Sequence, residues 1–251
     1  PGTVKFIFQP AEEGAPLGEK GGATYMVEEG VMNDPKVDAI FGLHAWPGKV
    51  GQAHYRSGPL MAAAERMKIV VTGSQTHGAM PWAGVDPIVV TSQIVMALQT
   101  IIARETNITS VPAVVTIGSI HGGVRNNIIP EEVIMEGTIR TFNDEIRLDI
   151  HKSIRNKVEM IAAASGAEAT VEIFSGIAKV TYNEPTLTEQ MLPSLKRVYG
   201  DENVLIRPFV TGAEDFPFFT DHAPGLYFFN GVAEDPSKAY PNHSPYFFAD
   251  E

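Results

Sequence analysis

Cysteine is absent from all 251 residues, so neither a disulfide nor a thiolate, catalytic or metal-bound, is available within them. Positive charge is scarce: 19 Lys and Arg stand against 30 Asp and Glu, a formal net charge of −11. A surface that acidic repels phosphate backbones and anionic headgroups, which argues against nucleic-acid or membrane-surface binding. No run approaches the ~18 uninterrupted apolar residues of a membrane span, and no secretory leader opens the chain. A cytoplasmic location is the corresponding expectation. Repeats and low-complexity tracts are missing too, the 23 Gly and 18 Pro being spread as turn punctuation. There is no initiator Met and no polar lead-in before the apolar run that begins at Val4, so the chain reads as a piece of a longer protein. What remains is ordinary globular composition, 44% hydrophobic and 20% charged, enough for a sizeable core and two domains.

The hydrophobic pattern divides the chain. Residues 3–9 read as a buried strand running into the polar turn 10–14, residues 22–29 as a short helix, and residues 37–43 as a second buried strand ending at His44. This β-α-β order predicts an α/β sheet with its functional groups at strand ends. From Glu65 the texture changes, with Met67, Ile69 and Val71 marking a half-buried strand. Asp86 and Pro87 open a helix whose stripe is Ile88, Ile94 or Val95, Leu98 and Ile101 or Ile102. Strands follow at 111–120 and 133–139, the latter with Val133, Met135 and Ile139 on one face. Asn143 then caps a helix with stripe Ile146, Ile150, Ile154, Val158 and Ile161, and Ala169, Val171 and Ile173 form a last strand. The order β-α-β-β-α-β predicts a ferredoxin-like α+β domain over residues 62–176. A helix at 187–199 and strands at 204–206 and 226–229 restore α/β texture. The expected architecture is therefore an α/β domain, made of 1–61 and 177–251, carrying the ferredoxin-like domain as an insertion.

The densest chemical signal is Phe8-Gln9-Pro10-Ala11-Glu12-Glu13-Gly14. Two adjacent carboxylates on extended backbone point in opposite directions. One can hold a metal while its neighbour faces water as a general base; a bare Glu-Glu pair equally suits a solvated acidic turn. His44 at a strand end and His243 in a turn-rich loop supply imidazoles, although each alone also suits a structural or surface histidine. Together Glu13, His44 and His243 offer oxygen and nitrogen ligands of the kind Zn, Mn or Co accept. Within the inserted segment His77 lies in a Gly-rich loop after a strand, and Asn127 and Arg140 lie at the two ends of one strand. Asn or neutral His can donate to a developing oxyanion, and Arg can grip a carboxylate with two prongs; an ordinary surface ion pair is the plainer reading of Arg140. His54, His121, His151 and His222 read as structural, and Gly122-Gly123 as a turn rather than a phosphate loop.

Seven motifs stand in a family's order: Phe-Gln-Pro-Ala-Glu-Glu-Gly, Gly-Leu-His-Ala-Trp-Pro, His-Gly-Ala-Met-Pro with a following Asp-Pro, Asn-x-Ile-Pro, Gly-Thr-Ile-Arg, Gly-Ala-Glu-Asp-Phe and Asn-His-Ser-Pro. The whole chain thereby resembles the metal-dependent amidohydrolases that include hippurate hydrolases, N-acyl-amino-acid aminoacylases and auxin-conjugate hydrolases, relatives of carboxypeptidase G2 and succinyl-diaminopimelate desuccinylase. The resemblance implies a zinc-peptidase-like catalytic domain with two divalent ions (Zn, Mn or Co), Glu12 as general base, and Glu13, His44 and His243 as ligands. It implies that His77, Asn127 and Arg140 contact an N-acyl amino acid substrate from a lid, His77 reaching the partner's site, and that the lid forms a homodimer. His44 favours the aminoacylase branch over a dipeptidase or desuccinylase, because the desuccinylase and carboxypeptidase branches place a carboxylate there. The family's Cys-Gly-His-Asp-x-His motif, source of the other two ligands, belongs upstream of the Glu-Glu pair and is not among these residues. The catalytic domain is therefore expected to be incomplete and the chain inactive alone. A non-catalytic dimerisation fragment is the reading from a different class.

Overall fold

The computed structural model describes residues 2–250, without the side chain of Ile177. It divides into two compact units: one comprises the chain up to Ala62 and again from Lys179, the other Ala63–Ala178. The first unit opens with α1 (Gly22–Glu28), β1 (Ile40–Lys49), β2 (Ala53–Tyr55) and β3 (Gly58–Met61). The second holds β4 (Ala63–Thr72), β5 (Thr76–His77), α2 (Pro87–Thr100), β6 (Ala113–Gly122), β7 (Ile128–Ile129), β8 (Glu132–Thr141), α3 (Asp144–Ala164) and β9 (Glu168–Ala178). The chain returns through β10 (Thr181–Asn183), α4 (Pro185–Tyr199), β11 (Val204–Ile206), α5 (Pro217–Thr220) and β12 (Gly225–Ala233).

In the second unit, alternation builds the sheet. Met67, Ile69 and Val71 of β4 are wholly buried while Lys68 and Val70 are only half so. The strand order is β6-β8-β4-β9, every neighbour antiparallel, so the strands of each β-α-β half are separated by a strand of the other half. Asp86 accepts hydrogen bonds from the amides of Ile88 at 2.9 Å and Val89 at 3.3 Å, and Asn143 accepts one from Ile146 at 3.0 Å, satisfying otherwise orphaned donors. The inward stripe of α3 is Ile150, Ile154, Val158 and Ala162. That of α2 is Val90, Ile94, Leu98 and then Ile101, which corrects the expected Ile88: with Ile94 and Leu98 inside, Val90 falls beneath them. Two residues away, Ile88 is turned by about 200° and stands 44% exposed.

In the first unit the sheet order is β1-β12-β2-β11, with β1 parallel to β12, β12 antiparallel to β2, and β2 parallel to β11. Leu60, Met61, Phe216, Phe219, Tyr227 and Phe229 form the heart of its core. Residues 3–9, expected as a buried strand, pair with no described strand. The period of a strand is present, since Lys5, Ile7 and Gln9 turn inward, but Val4, Phe6 and Phe8 are 76–86% exposed. A second correction concerns the strand that was to end at His44. It continues to Lys49 because β12 keeps pairing with it, and Phe41 and Leu43 on its outer side are 48% and 61% exposed rather than buried.

Candidate functional site

Glu12, Glu214 and Asp215 each bring a carboxylate oxygen within 4.8 Å of the other two, the one such cluster among the described residues. Local structure forces this crowding. The backbone of residues 210–212 is laid along β3, the amide of Ala62 donating to the carbonyls of both Val210 and Gly212. Asp215 is then tied down: Gln9 Nε2 donates to both its oxygens at 2.8 Å, and the Ala23 amide donates to Oδ2 at 2.7 Å. Gly22 must be glycine for this, because its φ is +73° and a Cβ there would lie 2.6 Å from Asp215 Oδ2. Gly42 plays a similar part across the β1–β12 ladder, where a Cβ would strike the ring of Tyr227 at 2.6 Å. The hydroxyl of that tyrosine is a hydrogen-bond partner of Glu214.

The acids perturb one another. Burial, then the charge of Glu12, pushes the Glu214 carboxyl up to about 8, against the lowering effect of Tyr227. Glu12 is also raised, by partial burial and by the charges of Asp215 and Glu13, with its hydrogen bond to Glu214 and the nearby His44 acting the other way. Tyr227 is pushed up by burial and by Glu214. Beside the three acids opens a cavity of about 920 Å³, walled by residues 3–9, by β1 and by Phe216, Phe219 and Tyr227.

Of the three sequence-chosen ligands, His44 faces Glu214, while Glu13 and His243 face each other. His44 sits midway along β1, its Nδ1 2.6 Å from the carbonyl oxygen of Ala45 and its Nε2 3.5 Å from Glu214 Oε1. Donation from Nδ1–H to that carbonyl leaves the Nε2 lone pair facing the acids. Asn242 Nδ2 donates to the same carbonyl at 2.9 Å, which lays the His243 loop against β1. His243 Nε2 is 3.6 Å from Glu13 Oε1, both side chains being mostly exposed. Two non-glycine residues have positive φ among those described, Ala11 just before the Glu pair and His243 itself. Backbone held in that region by its surroundings is a feature of functional sites. Glu214 and Asp215 were visible in sequence only as part of a quoted motif, and nothing in their spacing tied them to Glu12.

The remaining residues lie in the second unit. His77 of β5 stands opposite Ile128 of β7, and the Gly78 amide donates to the Asn127 carbonyl at 2.8 Å, so Asn127 lies one position along the ladder from His77. The Ala79 amide donates to His77 Nδ1 at 3.0 Å, which leaves the ring proton on Nε2. Arg140 belongs to β8, between Ala64 and Val114. The single strand expected from Asn127 to Arg140 is thereby corrected to two. Pro130, with no N–H to give to a ladder, separates β7, which pairs with β5, from β8, which pairs with β4 and β6.

The sequence profile of peptidase family M20/M25/M40 matches residues 1–251. The chain is 38% identical over 254 residues to thermostable carboxypeptidase 2 of Saccharolobus solfataricus, an alignment covering 100% of this chain and 62% of that protein. It is 36% identical over 254 residues to N-acetyl-L-cysteine deacetylase of Bacillus subtilis, covering 100% of this chain and 57% of that one. Among solved structures it resembles a dinuclear metal-binding peptidase of the M20 family from Bacillus subtilis, with a TM-score of 0.75 and 32% identity, covering 98% of this chain and 59% of the other. The chain thus spans about three-fifths of the length of these relatives.

Proposed function

Because the chain belongs to peptidase family M20/M25/M40, we propose that its site serves metal-dependent hydrolysis of the amide bond of N-acyl amino acids. The observation that carries this reading is the convergence of Glu12, Glu214 and Asp215 with the open Nε2 of His44. Glu13, His243 and His44 supply the oxygen and imidazole ligands that divalent cations of the Zn, Mn or Co type accept. The pKa values of Glu12 and Glu214 are raised by burial first and by neighbouring carboxylate charge second. Glu13 and His243 would hold one ion and His44 the other. When bound, two such ions supply a Lewis acid that lowers the pKa of water.

The residues then divide the work. Glu12, a carboxylate whose pKa is raised chiefly by burial, takes a proton from the attacking water and returns it to the leaving amine nitrogen. From the lid, His77, with its proton on Nε2, would donate to the oxyanion developing in the partner subunit's site, with Asn127 of the same ladder as a second donor. Arg140 grips the carboxylate of the amino acid. The second unit would act as a ferredoxin-like lid and as the homodimer interface. The helix continuing α2 to Glu105 supports the latter, since Val89 and Met96 stand exposed on it at 53% and 71%. A peptide substrate is the second reading, favoured by the carboxypeptidase relative.

Metal titration of the chain by calorimetry tests the ligand assignment. Glu13→Gln should weaken Mn or Zn binding at least tenfold, whereas Glu12→Gln should leave it intact. Equal loss in both would overturn the division of labour. In a protein that also carries the Cys-Gly-His-Asp-x-His motif, Glu12→Gln should abolish cleavage of hippurate and N-acetylmethionine. Cleavage of dipeptides alone would favour the second reading.

A further inference from the structure

The segment that carries Glu12 and Glu13 has little packing to hold it. From Pro10 to Lys20 every residue but Ala15 is exposed, and Leu17 stands wholly in solvent. Inside the segment the Gly14 amide donates to the Ala11 carbonyl at 3.1 Å and the Glu19 amide to that of Pro16 at 2.9 Å, two short turns. Such turns shape a loop without aiming it, because an exposed loop keeps its direction through bonds to the scaffold beneath. What aims the two glutamates must therefore act at the base of the loop.

One carboxylate spans that base. Gln9, just before the loop, brings its Nε2 within 2.8 Å of both Asp215 oxygens, and Ala23, at the start of α1, donates its amide to Oδ2 at 2.7 Å. Between these two arms the Gly22 amide closes on the Pro10 carbonyl at 2.7 Å. The sequence clears the space for this clasp. A Cβ at Gly21 would lie 2.8 Å from that of Ala11, and one at Gly22 would lie 2.6 Å from Asp215 Oδ2. The Gly-Gly pair thus lets the returning arm reach both the outgoing arm and the carboxylate. Hydrogen bonds to an ionised carboxylate are the stronger kind, and both arms converge on this one. Its neighbour Glu214 is engaged differently, bonding Glu12 itself. We propose that Asp215 is a positioning residue, which clasps both arms of the 10–22 loop and so aims Glu12 and Glu13, and that it binds neither metal nor substrate. The role rests on the catalytic reading given above; the clasp does not.

Lys20 is the one trypsin site between Lys5 and Lys36, and its side chain is 71% exposed. Cleavage after it in the folded chain, followed by mass spectrometry, therefore reads how often the loop opens. Asp215→Ala should raise that rate at least tenfold and weaken Mn binding in calorimetry severalfold, the affinity falling with the fraction of time the loop is closed. Hydrogen exchange at Tyr227 and Phe229 should meanwhile stay slow, which places the change in the loop and not in the core. Asp215→Asn keeps an acceptor for Ala23 and should have a smaller effect on both readouts. Gln9→Ala, which alters no acid, should also move both together. Cleavage unchanged by Asp215→Ala would overturn the proposal. So would Mn binding lost equally in Asp215→Asn and Asp215→Ala with cleavage unmoved, since that is how a metal ligand behaves. Glu13→Gln tests the catalytic reading separately, because it should leave cleavage at Lys20 as it is. Mn binding insensitive to Glu13→Gln, with the loop still freed by Asp215→Ala, would overturn that reading and leave the clasp standing.

Discussion

The two units differ in how completely their strands and helices are paired and capped, although each leaves apolar side chains exposed, Trp82, Met96 and Val124 in one as Phe6 and Phe8 in the other. In Ala63–Ala178 every long strand has its ladder, both long helices are capped by a side chain, and sixteen buried residues form one continuous core. In the other unit β1 is the edge of its sheet, Phe41 and Leu43 lie exposed along it, and Val4, Phe6, Phe8 and Leu17 stand in solvent. The residues singled out for chemistry divide the other way: Glu12, Glu13, His44, Glu214, Asp215 and His243 belong to the open unit, while His77, Asn127 and Arg140 belong to the closed one. Stability and site chemistry therefore reside largely in separate parts of the molecule, and variants can address them separately.

The largest expected effect breaks the closed unit from within. Glu65 of β4 is 3% exposed and receives Arg147 at 3.2 Å, His151 at 2.6 Å and Ser175 at 2.5 Å, which staples α3 and β9 to the sheet. Glu65→Leu would leave His151 without its acceptor and Arg147 with Asp144 alone, costing about 3 kcal/mol of that unit's stability. Hydrogen exchange should show the loss across residues 63–178 and not at Phe229 or Tyr227. The same carboxyl makes the unit acid-sensitive. Burial pushes its pKa up, but the hydrogen bonds of His151 and Ser175 and the charges of His151 and Arg147 outweigh that and hold it below the ordinary value. A group depressed in the folded state contributes stability above its unfolded pKa, about 4.3, and loses it as pH falls through the folded value. Melts between pH 6 and pH 3 should therefore show the 63–178 transition falling below about pH 4, a fall that Glu65→Gln should blunt.

A middle-sized effect concerns the caps. Asp86→Ala removes two accepted amide hydrogen bonds from the first turn of α2 and should cost about 1 kcal/mol, visible as faster exchange at Ile88 and Val89. This cap was legible in sequence, as was that of Asn143, because a short polar residue before an apolar stripe has one physical use. The alternation of Met67, Ile69 and Val71 was legible for the same reason, since side-chain direction on a strand is local. What failed was everything decided by a neighbour. Residues 3–9 have a strand's pattern without a described partner strand, and Ile88 has a helix's spacing but the wrong side. Pro130 divides one expected strand in two. The site shows the same split: the Glu pair, His44 and His243 could be chosen as chemically apt, but Glu214 and Asp215 became relevant only when backbone bonds to β3 carried them to Glu12. The tautomer of His44 depends on the carbonyl of Ala45, a contact that composition and spacing do not encode.

The smallest expected effect is the sharpest check on the contrast between the units. Phe8 is 86% exposed, whereas Phe229 is fully buried. Substituting an exposed side chain removes almost no apolar area from a packed environment, so Phe8→Ser should change the unfolding free energy by no more than about 0.5 kcal/mol. It should nevertheless improve solubility, because Val4, Phe6 and Phe8 form a row of exposed apolar side chains with strand periodicity beside an open sheet edge, the arrangement that invites edge-to-edge association. Sedimentation velocity at rising concentration would measure that gain and chemical denaturation the stability. A loss of about 2 kcal/mol or more would mean that Phe8 is covered in solution. The flanking unit would then be as closed as the inserted one, and the contrast between them would fail.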